Sequence, residues 1–161
     1  MQREVRRKDR QLTTEEAVKL LETAEYGVLS TVNADGTPYG IPLSYLYDNN
    51  KIYFHCATVG QKIDNITANS NVSFVVVGST EPVAEGHDYS TYYESAFAAG
   101  KAGIVTDAEE KLAMLRKLTE KYFPENMDIF EKSISGGSFE RIHIVAVDVE
   151  YVTGKSKKKH S

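Results

Sequence analysis

Apolar positions along the chain change period several times, and each change marks an element. Ala17, Val18, Leu20, Leu21 and Ala24 recur at helical spacing behind Thr13-Thr14-Glu15-Glu16. That tetrad reads as a capping box, with the Thr13 hydroxyl on the Glu16 amide and the Glu16 carboxylate reaching back. The pattern predicts a helix ending near Tyr26-Gly27. Residues 26–32 then read as a strand, Asn33-Ala34-Asp35-Gly36 as a hairpin turn, and 38–47 as the return strand. Pro38 and Pro42 have no amide hydrogen, so the return strand cannot pair fully along both sides. Asp48-Asn49-Asn50 turns the chain into a strand over 51–57. In the resulting antiparallel meander, residues 40–45 are expected beside 54–57.

Residues 60–70 read as a short helix with Ile63 and Ile66 inward, and the valine-rich 71–78 as a further strand. Residues 79–90 are polar and hold Pro82, Gly86 and Asp88, which predicts a loop. Residues 91–106 are β-prone, with Gly100 and Gly103 marking a bulge or bend. Asp107-Ala108-Glu109-Glu110 caps a helix whose stripe is Leu112, Leu115, Leu118 and Tyr122, closed by Pro124. A short helix follows over 125–135. The last strand, 141–152, alternates Ile142/Ile144/Ala146 with His143/Val145/Val147 and is apolar on both faces. Six antiparallel strands with helices only in the connections predict a mainly β protein with peripheral helices. The expected form is a barrel, closed or nearly so, because closure removes sheet edges; an open α+β sandwich is the alternative. No repeat or second boundary divides 1–161.

Composition agrees with this picture: ten Tyr and six Phe without Trp suit pleated surfaces. One cysteine excludes an internal disulfide framework and fits a reducing cytoplasm. No apolar run approaches the roughly 18 residues of a membrane span, and the charged N-terminus is no secretory signal. The net charge of −4 is unevenly placed: residues 1–10 carry +3 and 155–161 carry +4, leaving −11 for 11–154. Basic tails on an acidic body are read as solvated termini, since the body repels nucleic acid and no aromatic residues interleave with the tails. Arg6, Arg7 and Arg10 could alternatively fold over a bound anion.

The chemistry concentrates where Tyr53-Phe54-His55-Cys56-Ala57 runs into Thr58-Val59-Gly60-Gln61-Lys62. Amides at a helix N-terminus carry partial positive charge, and Thr58, Gly60 and Lys62 add a hydroxyl, an unhindered approach and an ammonium. The junction is a candidate phosphate cradle; equally, Lys62 is an exposed lysine after an ordinary turn glycine. His55 is either a satisfied core histidine or a proton-transfer group, metal ligand or haem ligand. Cys56 has no base near it in sequence and reads as a small buried hydrophobe. His87, His143 and His160 have no metal-ligand spacing, so no metal site is expected. Tyr92-Tyr93-Glu94-Ser95 adds hydroxyls that face either a ligand or a subunit interface.

Taken together, VRRKDRQL (5–12), EYGVLSTVNADGTPYGIPLSYLYD (25–48), KIYFHCATVGQKIDNI (51–66), NVSFVVV (71–77) and TYYESAFAAGKAGIV (91–105) form a pattern. The chain resembles the flavin-binding split-barrel superfamily related to pyridoxamine 5′-phosphate oxidase, and within it the nitroimidazole-resistance branch. The resemblance implies a six-stranded split β-barrel that forms a homodimer with FMN at the interface. Ile41, Pro42, Leu43, Ser44 and Tyr45 would lie along the flavin ring, with His55 and Cys56 also on the cofactor. The turn of Gly60, Gln61 and Lys62, with Thr58 beside it, would grip the phosphate. Tyr92 and Ser95 would approach from the partner chain. Ser44-Tyr45 stands where true pyridoxamine phosphate oxidases carry a cation, and their arginine-rich C-terminal motif is replaced by TGKSKKKHS, so vitamin B6 oxidation is not implied. The implied activity is cytoplasmic: a reduced nicotinamide reduces FMN, which reduces a nitroaromatic or other small organic acceptor oriented or protonated by His55. A non-catalytic flavin-binding protein and a haem or deazaflavin binder are the alternatives.

Overall fold

Seven antiparallel strands form one sheet in the computed structural model, which describes residues 4–158. They are β1 (Gly27–Val32), β2 (Pro38–Leu43), β3 (Leu46–Asp48), β4 (Lys51–Ala57), β5 (Asn71–Glu85), β6 (Asp88–Ile104) and β7 (Ile142–Lys157), in the order β2-β1-β5-β6-β7-β4-β3. The helices are α1 (Thr14–Thr23), α2 (Gln61–Ala68), α3 (Ala108–Tyr122) and α4 (Met127–Ser135). The capping box forms: the Glu16 amide donates to Thr13 Oγ1 (3.2 Å) and the Thr13 amide to Glu16 Oε2 (2.9 Å).

The expected return strand is two strands. Residues 38–47 break at Ser44-Tyr45, which raises the count from six to seven, and the halves lie on opposite edges of the sheet. β2 pairs only with β1, as its prolines require of an edge strand, and β3 pairs with β4. Residues 40–45 therefore do not lie beside 54–57, and the meander is interrupted. This break also proves curvature. Laid flat, a seven-stranded sheet would hold its edges about 29 Å apart, yet two residues span at most about 11 Å between β2 and β3. The sheet must curl until its edges approach to within about 11 Å at Ser44-Tyr45, as an open, split barrel.

Residues 79–90 are not a loop. β5 and β6 continue as a hairpin to Gly86, with Pro82 opposite Thr91 and Glu85 opposite Asp88. Pairing of β6 with β7 stops at Tyr93, so 81–92 stand as a two-stranded ribbon, and a strand wet on both faces has a loop's composition. Gly100 sits at the expected bulge, where the register against β7 shifts. The C-terminal basic segment is likewise not all tail: Lys155 and Lys157 belong to β7, and Gln11 bridges to Lys155. Arg3, Lys159 and His160 lie outside the described residues.

β4 and β7 are covered on both faces. Ile52, Phe54, Val145 and Val147 point into the barrel with Leu29, Phe74, Ala98 and Leu21 of α1. Tyr53 and Ile144 point out, under Met114, Leu115 and Leu118 of α3 and Phe130 of α4. Leu112 is exposed instead of inward, because it lies about 100° around the helix from the line through Leu115 and Leu118. No helix among the described residues is long and apolar enough to cross a membrane.

A β-carbon at Gly100 would overlap the Asp148 carbonyl, whereas one at Gly103 would meet nothing within 4 Å. Gly100→Ala should cost about 3 kcal/mol in urea unfolding, since backbone must move to admit the methyl. Gly103→Ala, on the same strand, should change stability by less than about 1 kcal/mol.

Candidate functional site

β4 ends by sending alternate side chains to opposite faces. Cys56 lies inside the barrel wall, while His55 is exposed on the outer face opposite Ile144. Burial pushes the Cys56 thiol up, and the nearby Lys62 charge pulls it partly back down. The thiol is kept protonated and unreactive, as expected of a wall residue.

Past β4 the chain turns at Gly60, whose φ of +135° favours glycine and whose α-face is open. Its carbonyl accepts from the amides of Ile63 (2.9 Å) and Asp64 (3.1 Å), leaving those of Gln61 and Lys62 as the leading donors of α2. Thr58, Gly60 and Gln61 are exposed and Lys62 is half-buried. A polar bolt, not foreseen from sequence, holds this helix start to the β1–β2 turn. Buried Asn65 Nδ2 donates to Thr31 Oγ1 (2.9 Å) and Asn33 Oδ1 (2.8 Å), and Gln61 Nε2 donates to Asn33 Oδ1 (2.9 Å). A buried asparagine on a helix face was the available signal.

A cavity of about 740 Å³ opens on the outer face of the sheet. Ser44, His55 and Ile142 form one wall, and α3, α4 and the turn between them form the other, through residues such as Leu115, Tyr122, Phe123 and Phe130. Sequence reading gave α3 and α4 no role in a site, because their stripes read equally well as core. Pro42 is exposed along the β2 edge, with Ile41 and Leu43 half-buried beside it. β2 spans about 20 Å, from the turn that holds α2 to Ser44 at the cavity.

Tyr45 is set apart from its neighbours. It is fully buried, edge-on to Phe74 at 4.7 Å, with its hydroxyl bonded to the Leu21 carbonyl, so its side chain offers no surface to a ligand. Its backbone is held by α3. The Tyr45 amide donates to Tyr122 Oη (3.0 Å), which donates to the Glu25 carbonyl (2.6 Å), and Lys121 Nζ donates to the carbonyls of Tyr45 and Ala24, each at 3.0 Å. Burial lowers the Lys121 ammonium and raises the Tyr122 phenol. Tyr92 and Ser95 are also apart. Ser95 pairs with Lys155 while His55 pairs with Ile144, so about 35 Å of β7 separates them within one chain. Among the described residues, no cluster of three or more His, Cys, Asp or Glu could hold a metal.

The family model for pyridoxamine 5′-phosphate oxidase matches residues 13–156. The chain belongs to this family. It is similar to a candidate 5-nitroimidazole antibiotic resistance protein from Bacteroides thetaiotaomicron VPI-5482, at 25% identity and a TM-score of 0.79, covering 90% of this chain and 85% of that one. A flavocytochrome from Azotobacter vinelandii shares the fold at 15% identity and a TM-score of 0.82, over 97% of this chain and 73% of that one. A FAD-binding protein from Mesorhizobium loti does so at 24% identity and 0.64, over 92% and 98%. No curated protein sequence matches the chain.

The first prediction concerns the Tyr45 anchor. Tyr122→Phe leaves the Tyr45 amide without its acceptor and should cost about 1–3 kcal/mol in urea unfolding. The second concerns alkali. Burial holds the phenols of Tyr45 and Tyr53 above their ordinary value, helped at Tyr53 by its bond to Glu110. Unfolded tyrosines ionise near pH 10 while these two stay protonated, so stability is intact below about pH 10 and falls above it. Lys121, lowered, acts in the opposite sense, but on one group. Tyr53→Phe should flatten the alkaline fall measured by urea unfolding between about pH 9 and 11.

Proposed function

We propose that this chain is an FMN-binding flavoprotein that reduces a small organic acceptor with electrons from a reduced nicotinamide. The observation that carries the reading is one line of features: a cationic helix start, an exposed strand edge about 20 Å long, and an apolar cavity beside a histidine. An elongated ligand with a phosphate at one end and a planar ring at the other fits that line.

The donor set suits the phosphate. The leading amides of α2 and the Lys62 ammonium are charge-assisted donors, Thr58 adds a hydroxyl, and Asn65 and Gln61 keep the helix start in place. Ile41, Pro42 and Leu43 would back the ring, and Ser44 and His55 would face the acceptor; the Cys56 side chain, turned into the barrel core, would not reach it. Bound FMN would supply the redox chemistry. His55 would orient the acceptor and hold or release a proton at its polar atom. The separation of Tyr92 and Ser95 from His55 supports a homodimer in which those residues complete the partner's site.

Similarity to the nitroimidazole-resistance candidate and to flavin-binding neighbours supports the reading. Haem is the second reading, because His55 opens on an apolar cavity and one neighbour is named a FAD and heme binding protein. Haem propionates call for cations, and no Lys or Arg lines the cavity, which favours FMN.

The protein as isolated, or mixed with FMN at micromolar concentration, should show flavin absorption bands; a colourless protein that binds no flavin would refute the reading. Lys62→Ala should raise the FMN dissociation constant about tenfold or more, measured by flavin fluorescence quenching. His55→Ala should keep FMN bound and slow anaerobic reoxidation by acceptor about a hundredfold.

A further inference from the structure

The cavity beside His55 is lined by no Lys, Arg, Asp or Glu, although α3 and α4 carry many. Their charges are engaged elsewhere. Arg116 pairs with Glu131, Lys132 pairs with Asp128, Lys111 donates to the Phe139 carbonyl, and Lys121 is held by Ala24 and Tyr45. Leu115, Leu118, Phe130 and Ile134 make the inner wall, while Phe123 and Ile129 stand at the lining 61% and 58% exposed. Two large apolar side chains left wet beside a concavity are surface that a ligand would cover. Apart from His55, the polar lining is made of hydroxyls and one amide. Thr119 Oγ1 already donates to the Leu115 carbonyl (2.9 Å) and the Tyr122 hydroxyl to Glu25. Among the described residues, no protein partner bonds the side chains of His55, Asn126 or Ser133, which leaves three polar groups to meet a carbonyl, nitro or hydroxyl oxygen.

We propose that this cavity binds the acceptor, and that the acceptor is an uncharged aromatic compound of drug-like size rather than an anion or a phosphate ester. About 740 Å³ lies within the range of sites for drug-sized molecules. An anion entering it would lose hydration with no Lys or Arg in return, whereas an uncharged ring system buries apolar area against Phe123, Ile129 and Phe130. That the occupant is the acceptor rests on the flavoprotein reading. That it is uncharged and aromatic rests on the lining alone.

A pair of dyes with one skeleton tests this. N-phenyl-1-naphthylamine is uncharged, and 8-anilinonaphthalene-1-sulfonate differs from it by a sulfonate. The uncharged dye should bind the full chain with a blue-shifted, enhanced emission, and at least tenfold more tightly than the sulfonate. Ser133→Trp, which fills the cavity from an exposed helix position, and Ile129→Glu, which charges it, should each weaken that binding tenfold or more, while FMN affinity stays unchanged and far-ultraviolet circular dichroism confirms folding. Equal or tighter binding of the sulfonate would overturn the proposal, as would indifference to both variants. So would no dye binding, the result expected if a second copy covers this face, or a haem Soret band in the isolated protein. Protein that binds the uncharged dye as described but no FMN would uphold the lining and overturn the acceptor assignment. FMN binding without dye binding would overturn the cavity proposal and leave the flavoprotein reading standing.

Discussion

Tyr45 holds the barrel closed at the place where the sheet is broken. The two edge strands share no ladder hydrogen bonds, so the Ser44-Tyr45 link and what grips it join the edges together with the core they share. The ring is seated on Phe74 inside, the hydroxyl reaches the Leu21 carbonyl at the end of α1, and the peptide groups are bound from outside by Tyr122 and Lys121 of α3. The ammonium also lies 4.2 Å from the centre of the Tyr45 ring. Inner core, α1 and α3 thus meet on one residue. Ser44, one position earlier, is consequently fixed at the cavity wall.

Local signals made most elements legible in the sequence. The capping box at Thr13 and Glu16, the turn at Gly36 and the Asn49-Asn50 pair, both with positive φ, each state their structure within a few residues. β7 was legible because apolar side chains on both faces demand cover on both faces, and α1 and α3 supply it. Failures came where the deciding contact is remote. Nothing local to Ser44-Tyr45 tells that Tyr122, 77 positions away, binds that backbone and turns one strand into two. The ribbon over 81–92 failed for another reason: a strand with no buried face has no alternation to read.

One half of the proposed site rests on local sequence signals. Glycine, lysine and a helix start mark a candidate anion cradle through residue type, with an ordinary turn lysine as the alternative, and the structure adds why that helix start stays put, through Asn65, Thr31 and Asn33. The cavity was illegible because its chemistry is an absence of charge, produced by pairing Arg116, Lys132, Lys111 and Lys121 with other groups. A helix with so many charged residues reads as solvated until those pairs are known. On the proposed reading, cradle and cavity would divide the labour by dielectric environment: exposed cationic groups would receive a hydrated anion, and apolar walls what has no charge to hydrate.

That division bears on why one chain would not suffice. Tyr92 and Ser95 lie at the far end of β7 from His55, and barrel curvature cannot fold a continuous strand back through about 35 Å. Beyond Tyr93 the β5–β6 ribbon pairs only with itself, and an isolated two-stranded ribbon is marginal in water. A second copy resolves both difficulties on the flavoprotein reading. In the proposed dimer the ribbon would gain a surface to lie against, and its tyrosines would approach the partner's proposed site. There the long, wet hairpin and the distant hydroxyls would be one feature.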